Sequence, residues 1–253
     1  MIAGVALGCT AVALVAAMVA TRQRPAAVPS LDGYLSGWSA LHEGYDPRSN
    51  RWVRATLGVA FAAARPLVRR GVHPDVLTLW GVWLGLAAYV VAGAGGRWPL
   101  VAGAVLAGAG FADALDGAVA AMTGRATRWG FVLDSLADRV TEVLALLAVW
   151  VVGAPGGLVV ACGVAFGLLE YLRARAANAG MEGIGVVTVG ERPVRIVLCV
   201  AALVGAGAAV GHAPAVAGLA LAVLAALSAV ALAQLLAVTY RELATPQGED
   251  RRR

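Results

Sequence analysis

Long apolar segments are the feature of this sequence that most restricts its fold. A run of about 17–25 apolar residues can cross a bilayer as one helix, because the hydrocarbon core is about 30 Å thick. One such run lies at residues 2–20, and six more follow a polar stretch at residues 30–50. The sequence therefore predicts an all-α integral membrane protein with a six-helix transmembrane core and one extra N-terminal transmembrane helix. The core spans are predicted at residues 76–92, 99–114, 131–152, 156–172, 194–210 and 213–238.

The composition excludes a soluble globular domain. The chain of 253 residues is 60% hydrophobic and 14% charged, whereas soluble domains average about 45–50% apolar and about 25% charged residues. All 20 basic residues are arginines, and the net charge of +5 favours membrane lipids with anionic head groups as partners. We expect no nucleic-acid partner. The three cysteines lie in apolar runs without metal-ligand spacing, so we interpret them as buried hydrophobic residues.

The positions of the arginines predict the orientation of the spans. Short breaks rich in glycine and proline alternate with longer basic breaks, which hold Arg125, Arg128, Arg173, Arg175, Arg192 and Arg195. Because cytoplasmic loops are enriched in basic residues, the longer breaks and the Arg-rich C-terminus are predicted to be cytoplasmic. Arg22 and Arg24 follow the first apolar run, which favours an uncleaved anchor over a signal peptide. We expect a multi-pass protein of the plasma membrane whose active site faces the cytoplasm.

Four regions are predicted along the chain. They are an N-terminal anchor at residues 1–24, a cytoplasmic linker at 25–50, a membrane domain at 51–240 and a cytoplasmic tail at 241–253. Residues 51–70 combine apolar residues with flanking arginines, a pattern typical of an amphipathic helix in the cytoplasmic interface with its arginines toward lipid phosphates. An ordinary cytosolic connector is the alternative.

Four aspartates, Asp113, Asp116, Asp134 and Asp138, lie at or just inside the ends of two consecutive spans. A charge inside a membrane span is costly unless it is paired or bound to a metal, so it indicates a functional site. The first two are three residues apart and the last two are four apart, and each pair therefore shares a helical face. A short loop makes the two helices antiparallel, so the pairs are predicted to meet near the cytoplasmic side.

Four facing carboxylates would repel one another strongly in a medium of low dielectric constant. Oxygen ligands favour hard ions, so the aspartates predict a site for Mg²⁺ or Mn²⁺, with two ions expected. Gly117, Ala120 and Gly130 would let a flat group approach the backbone, although close helix packing also uses such residues. A transporter with ion-binding acids is another possibility. Against it, the carboxylates cluster at one membrane face and no inverted repeat is visible.

The segment from Asp113 to Asp138 reads D-x2-D-G-x2-A-A-x8-G-x3-D-x3-D. It resembles the signature of the CDP-alcohol phosphotransferases, D-x2-D-G-x2-A-R-x8-G-x3-D-x3-D, and seven of the eight fixed positions match over 26 residues. The interfacial helix and the six spans also resemble that family's topology. The resemblance implies transfer of a phosphatidyl group from CDP-diacylglycerol to a polar alcohol acceptor with release of CMP, and it implies a homodimer.

The resemblance also implies a role for each matching residue. Asp113, Asp116, Asp134 and Asp138 would hold the metal ions. Asp138 would in addition be the catalytic general base that takes the proton of the acceptor hydroxyl. A P-x-x-x-T motif at residues 74–78 contributes a threonine near the nucleotide. The implied CDP-binding residues are Thr78, Asp113, Gly117, Ala120, Gly130 and Arg128.

One fixed position departs from the signature. The family's arginine after Ala120 is Ala121 here, which removes a charged contact. Arg125 and Arg128 in the following loop are candidates to replace it. The departure leaves a catalytically degenerate homologue as an alternative to an active enzyme.

Two further motifs concern the acceptor. Residues 170–176 and 190–195 resemble the Y-x-K/R-A-R-A and E-R-P-x-R elements of actinobacterial phosphatidylinositol-phosphate synthases. In that group, basic residues at these places hold the phosphate of inositol phosphate, which implies this role for Arg173, Arg175 and Arg195. The basic character of any cytoplasmic loop is the alternative explanation. A basic residue that those synthases carry after a glutamine is absent after Gln234, so glycerol phosphate or an unphosphorylated alcohol is an alternative acceptor.

Overall fold

The computed structural model describes residues 27–41, 45–181 and 187–244, together with residues 8, 11–12 and 14–18. The regular secondary structure of these residues is entirely helical, as predicted. The predicted N-terminal span at residues 2–20 and the predicted tail at 241–253 lie largely outside the described residues. From residue 27 onward, the α-helices are α1 Leu31–Leu41, α2 Arg51–Arg69, α3 Pro74–Ala92, α4 Trp98–Thr123, α5 Arg128–Val151, α6 Gly156–Asn178, α7 Arg192–Ala208 and α8 Ala213–Leu243.

Four helices of the described chain are long and apolar enough to cross a membrane. They are α3, α4, α6, and α8 together with the preceding 3-10 turn Val210–His212. α5 carries several charged residues and α7 has only 17 residues, so neither is counted on length and composition alone. The class of a multi-pass all-α membrane protein is confirmed, while the total of six core spans stays a prediction.

The first of two compact units comprises Met1–Val90 and Ala104–Leu144. Its apolar cluster joins residues of α1, α2, α3 and α4, with Tyr34, Leu35 and Val119 almost fully buried. α1 lies in the polar stretch at residues 30–50, for which the sequence predicted no membrane span. The helix is capped by Ser30, whose Oγ accepts a hydrogen bond from the Gly33 backbone N–H at 3.1 Å.

The predicted interfacial helix corresponds to α2, but part of its apolar face packs on protein. Ala60, Ala64 and Val68 are spaced four residues apart and are buried in the apolar cluster, whereas Arg51 and Arg54 are exposed. This apolar stripe of the predicted interfacial helix is therefore covered by protein and not by lipid, because residues of α1, α3 and α4 pack in the same cluster.

The second unit comprises Val91–Gly103 and Ala145–Arg253. Within it, α6 and α7 each pack along α8. A Cβ atom at Gly205 would lie 2.7 Å from the Val216 side chain, and a Cβ atom at Gly190 would lie 2.7 Å from that of Ala231. Gly205 therefore permits the close approach of α7 to α8 that small residues allow between membrane helices, and Gly190 permits a similar approach of the turn before α7 to α8.

Candidate active site

Two helices of the first unit carry the four aspartates. α4 ends at Thr123 and carries Asp113 and Asp116 within its last three turns. Gly124 follows with φ +64°, a left-handed conformation that glycine adopts without strain and that commonly ends helices. α5 begins at Arg128 and carries the other two aspartates on successive turns.

Three of the carboxylates are close together. Each of Asp113, Asp116 and Asp134 offers an oxygen, and these oxygens lie within 4.8 Å of one another. Asp116 is buried and the other two are half-buried. Three acidic oxygens at this separation repel one another unless a cation lies among them, and a donor set made only of oxygen suits a hard divalent ion. These residues therefore fit the predicted metal.

Asp138 is not a member of this group of three, although it follows Asp134 by one helical turn. Its side chain is 17% exposed, and its Oδ2 lies 3.9 Å from a guanidinium nitrogen of Arg139. Its Oδ1 is buried. The structure thus brings together three of the four predicted metal ligands and gives the fourth a different environment.

Thr78 contacts the carboxylate group directly. The threonine is buried near the start of α3, and its hydroxyl donates a hydrogen bond of 2.5 Å to Asp116 Oδ2. The same hydroxyl lies 3.3 Å from the Pro74 carbonyl oxygen one turn earlier. The residue predicted to bind CDP therefore orients an acidic side chain of the metal site.

The small residues of the signature differ in their surroundings. A Cβ atom added at Gly117 would meet no atom within 4 Å, so packing within the described protein does not require glycine there. At Gly130 a Cβ atom would lie 3.2 Å from Thr127 Oγ1 and 3.8 Å from Asp75 Oδ1. Ala120 is half-buried. Open space beside Gly117 is what the approach of a flat ligand to the backbone would need.

Ala121, which replaces the arginine of the signature, packs against the apolar cluster that contains Tyr34 and Leu35 of α1. A Cβ atom on Gly37 of α1 would lie 3.8 Å from the Ala121 carbonyl oxygen. This position is therefore covered by a helix that precedes the membrane domain. The two arginines considered as replacements lie in the next loop, where Arg125 is half-buried and Arg128 is exposed.

Arg195 of the second unit is held inside the protein. Its side chain is 1% exposed, and one guanidinium nitrogen lies 3.1 Å from Glu170 Oε1. Its Nε donates a 2.6 Å hydrogen bond to the Gly190 carbonyl, and its guanidinium lies 4.8 Å from the centre of the Phe166 ring. Of this pair, Glu170 is the more accessible member, because its side chain is 35% exposed.

Arg173 also has a carboxylate partner, whereas Arg175 is exposed. The Arg173 guanidinium pairs with Glu191 Oε1, which also accepts hydrogen bonds from the Thr188 backbone N–H and hydroxyl at 2.7 Å and 2.8 Å. Burial alone would raise the pKa of the Glu191 carboxyl. The Thr188 hydrogen bonds and the Arg173 charge outweigh burial and hold this pKa below its usual range.

Several residues that shape these sites were missed in the sequence. Glu170 and Glu191 lie within the two acceptor motifs, but the motifs did not predict them as partners of the arginines. Arg139 and Glu142 form a 3.0 Å ion pair beside Asp138. The signal that could have revealed this last pair is a basic and an acidic residue three apart inside a predicted span.

The apolar helices and the carboxylate group together define an integral membrane protein with a centre suited to a divalent metal ion. Residues 71–239 match the sequence model of the family described as CDP-alcohol phosphatidyltransferase. The chain belongs to this family of transferases, which act in phospholipid biosynthesis. The predicted family and enzyme class are confirmed.

Two curated relatives carry related names. An archaetidylinositol phosphate synthase from Methanothermobacter thermautotrophicus is 34% identical over 147 residues, which cover 54% of this chain and 73% of the relative. A phosphatidylinositol phosphate synthase from Mycolicibacterium smegmatis is 38% identical over 156 residues, which cover 57% of this chain and 65% of the relative.

Crystal structures of the Mycobacterium tuberculosis phosphatidylinositol phosphate synthase have a similar fold. The structure with CDP-DAG bound superposes with a TM-score of 0.58 at 28% identity, covering 72% of this chain and 94% of that chain. The structure in complex with manganese and citrate superposes with the same TM-score and identity, and the match covers 72% of this chain and 88% of that chain. A related enzyme crystallised with manganese and the carboxylate group described above both support the predicted cofactor, Mg²⁺ or Mn²⁺.

Proposed function

We propose that this protein transfers a phosphatidyl group from CDP-diacylglycerol to a polar alcohol, with inositol phosphate as the first candidate acceptor, and releases CMP. The observation that carries the proposal is the group of three carboxylates, Asp113, Asp116 and Asp134, at the spacing of the family signature. The names of the archaeal and mycobacterial relatives support the choice of acceptor.

The three carboxylates are proposed to hold the metal, with Asp138 as a fourth candidate ligand. A divalent ion bound there would neutralise the diphosphate of the CDP-linked lipid and stabilise the charge on departing CMP. Thr78 acts on this site through Asp116, because its hydroxyl keeps one carboxylate oxygen in place.

Asp138 is proposed as the general base. Its carboxylate takes the proton of the acceptor hydroxyl while the hydroxyl oxygen forms a bond to the phosphorus of the phosphatidyl group. The bond between that phosphorus and the oxygen of CMP breaks in the same step, so CMP leaves with the bonding electrons. The exclusion of Asp138 from the group of three carboxylates supports a role other than metal binding alone.

The nucleotide is proposed to lie along the small residues of α4 and α5. The open space beside Gly117 supports this placement, since no protein atom occupies the position of its missing side chain. Asp113 is one of the three grouped carboxylates, and Thr78 is hydrogen-bonded to another of them, Asp116. Arg128 is exposed, and we propose that it binds the diphosphate. Ala120 and Gly130 complete the proposed surface.

The phosphate of the acceptor is proposed to bind the arginines of the second unit. Arg175 is exposed, and Arg173 is paired with Glu191. A phosphate accepts the same guanidinium donors as a carboxylate, so it would replace Glu191 as the partner of Arg173. Arg195 is buried and paired with Glu170, so to bind the phosphate it would exchange the Glu170 carboxylate for a phosphate oxygen.

The proposed location is the plasma membrane, with the active site facing the cytoplasm. The longer basic breaks support this orientation, because arginine accumulates on the cytoplasmic side. A homodimer is proposed from the family resemblance.

Release of CMP by the purified protein tests the proposal. CDP-diacylglycerol, Mn²⁺ and one of inositol phosphate, glycerol phosphate or inositol are supplied, and we expect metal-dependent release that is fastest with inositol phosphate. Asp113→Asn should abolish release, while Glu242→Gln, a change at an exposed residue of α8, should not affect it. No release with any acceptor would refute the activity and favour a degenerate homologue. Faster release with an unphosphorylated acceptor would overturn only the choice of acceptor.

A further inference from the structure

A buried carboxylate on α5 has no part in the proposed reaction. Glu142 is 3% exposed and lies four residues after Asp138, on the same helical face. It is not one of the fixed positions of the family signature, and it is not in the group of three carboxylates. A buried acid in a helix of a membrane protein is costly, so it indicates a functional role.

Arg139 connects this carboxylate with Asp138. Its Nη1 lies 3.0 Å from Glu142 Oε2, and its Nη2 lies 3.9 Å from Asp138 Oδ2. The guanidinium is a planar group with donors in a fixed fork, so it can bracket two carboxylates in a way that an ammonium cannot. The ion pair is formed within one turn of α5 and therefore does not itself link this helix to another.

We propose that Arg139 and Glu142 are positioning residues for Asp138, an inference that rests on the proposed function. Glu142 holds the guanidinium of Arg139 through the ion pair, and the positive charge of the guanidinium, 3.9 Å from Oδ2, attracts the Asp138 carboxylate. The ion pair thereby keeps the Asp138 carboxylate in one orientation toward the acceptor hydroxyl. A general base must lie within about 2.6–3.2 Å of the proton donor, so rotation of this carboxylate would lower the rate.

The decisive variant replaces both members of the ion pair, Arg139→Met with Glu142→Leu. Glu142 is buried, whereas the Arg139 side chain is 30% exposed. Removal of Arg139 alone would leave an uncompensated buried charge, and apolar replacement of both members avoids this. We expect the double variant to fold with at least the melting temperature of the wild type but to lose kcat by roughly tenfold or more. The KM for CDP-diacylglycerol and the Mn²⁺ concentration for half-maximal rate should change less than twofold, because the residues that bind them are intact.

Two single variants and a control separate positioning from charge. Arg139→Lys keeps the charge but lacks the fork, so we expect a loss of kcat between those of the wild type and of the double variant. Glu142→Gln should lower kcat on its own and should have no further effect in an Arg139→Met background, because both changes act through the same guanidinium. The matched control is Arg241→Met with Glu242→Leu, a neighbouring pair that is exposed at the end of α8.

Two results would overturn the inference. One is a well-folded double variant with the kcat of the wild type, provided that the wild type releases CMP. The other does not depend on activity: a structure of the double variant in which the Asp138 side chain keeps its wild-type rotamer would show that Arg139 does not position it. Absence of CMP release from the wild type refutes the proposed function instead, and the structural comparison still decides whether Arg139 orients Asp138.

Discussion

Asp134 and Asp138 are separated by one turn of α5, yet only Asp134 belongs to the group of three carboxylates. Asn substitution at the two ends of this arrangement should therefore have different effects. We expect Asp138→Asn to lower turnover by ~10²-fold or more, the usual scale for loss of a general base, with little change in metal affinity. Asp113→Asn should weaken metal binding together with turnover. Mn²⁺ titration calorimetry and CMP release measure the two effects.

The opposite pattern would show that Asp138 is chiefly a ligand. If Asp138→Asn loses metal affinity as severely as Asp113→Asn and excess Mn²⁺ restores its rate, the assignment of the base is wrong. Asp113 is the suitable reference because its side chain is half-buried, like that of Asp138, and the same isosteric change is made at both positions.

Thr78 provides a second test at this scale. Its hydroxyl donates a 2.5 Å hydrogen bond to Asp116 and is buried. A hydrogen bond to a charged group is worth about 1.5–3 kcal/mol, so Thr78→Val should weaken Mn²⁺ binding by roughly one to two orders of magnitude. Thr78→Ser keeps the donor and should bind Mn²⁺ nearly as well as the wild type. Equal affinities for the Val and Ser variants would exclude the hydroxyl as the orienting group.

Individual site residues could be predicted only where chemistry and spacing coincide. The aspartates were recognisable because charge is costly within an apolar helix and their spacing places them on one face. The partners of the arginines were not recognisable, because Glu170 and Glu191 lie 25 and 18 residues along the chain from Arg195 and Arg173. Such contacts depend on how a loop folds, which periodicity does not determine.

At the level of secondary-structure elements, α1 explains why the chain tolerates Ala121. The alanine packs against the apolar cluster that α1 helps to form, and Arg at this position would place a charge in that cluster. We expect Ala121→Arg to lower the free energy of unfolding by about 1–3 kcal/mol and to expose α1 to proteolysis. Thermal unfolding in detergent measures this, with Ala126→Arg in an exposed part of the next loop as the control.

The opposite result for Ala121→Arg would be informative about the family signature. If this variant released CMP faster than the wild type at an unchanged melting temperature, the arginine would reach the nucleotide, and the departure from the signature would be a loss of function. A lower melting temperature without faster CMP release would show that α1 requires a small residue there.

The segment between α6 and α7 has a predictable response to acid. Although burial opposes it, the hydrogen bonds from Thr188 and the Arg173 charge lower the pKa of Glu191 in the folded protein. This carboxylate therefore stabilises the fold fully above its unfolded pKa of about 4.3, and the stabilisation is lost as pH falls through the folded pKa. The melting temperature of Glu191→Gln should depend less on pH in this acidic range than that of the wild type. Equal pH dependence in both proteins would contradict the contribution of Glu191.

The ends of a helix could be predicted from the sequence only where the apolar run begins or ends at the same residues as the helix. α3 and α8 begin within about two residues of the predicted spans at 76–92 and 213–238. α4 was predicted to end at residue 114 but continues to Thr123, because a single aspartate, Asp116, in a stretch that is otherwise mostly apolar does not interrupt the backbone hydrogen bonding of the helix. α1 was missed because hydropathy identifies spans, whereas its start depends on the Ser30 cap.

For the whole molecule, the orientation in the membrane is the prediction that follows from charge alone. Cytoplasmic loops are enriched in arginine, so Cys introduced at Ala126 or Asn178 should react with a thiol reagent only after the cytoplasmic face is made accessible. Cys at Arg97 or Gly211, in the short breaks, should react in intact cells. All four positions are exposed. With the native cysteines replaced by alanine, labelling of Ala126→Cys in intact cells would place the carboxylate group on the outer face, where neither CDP-diacylglycerol nor inositol phosphate is expected.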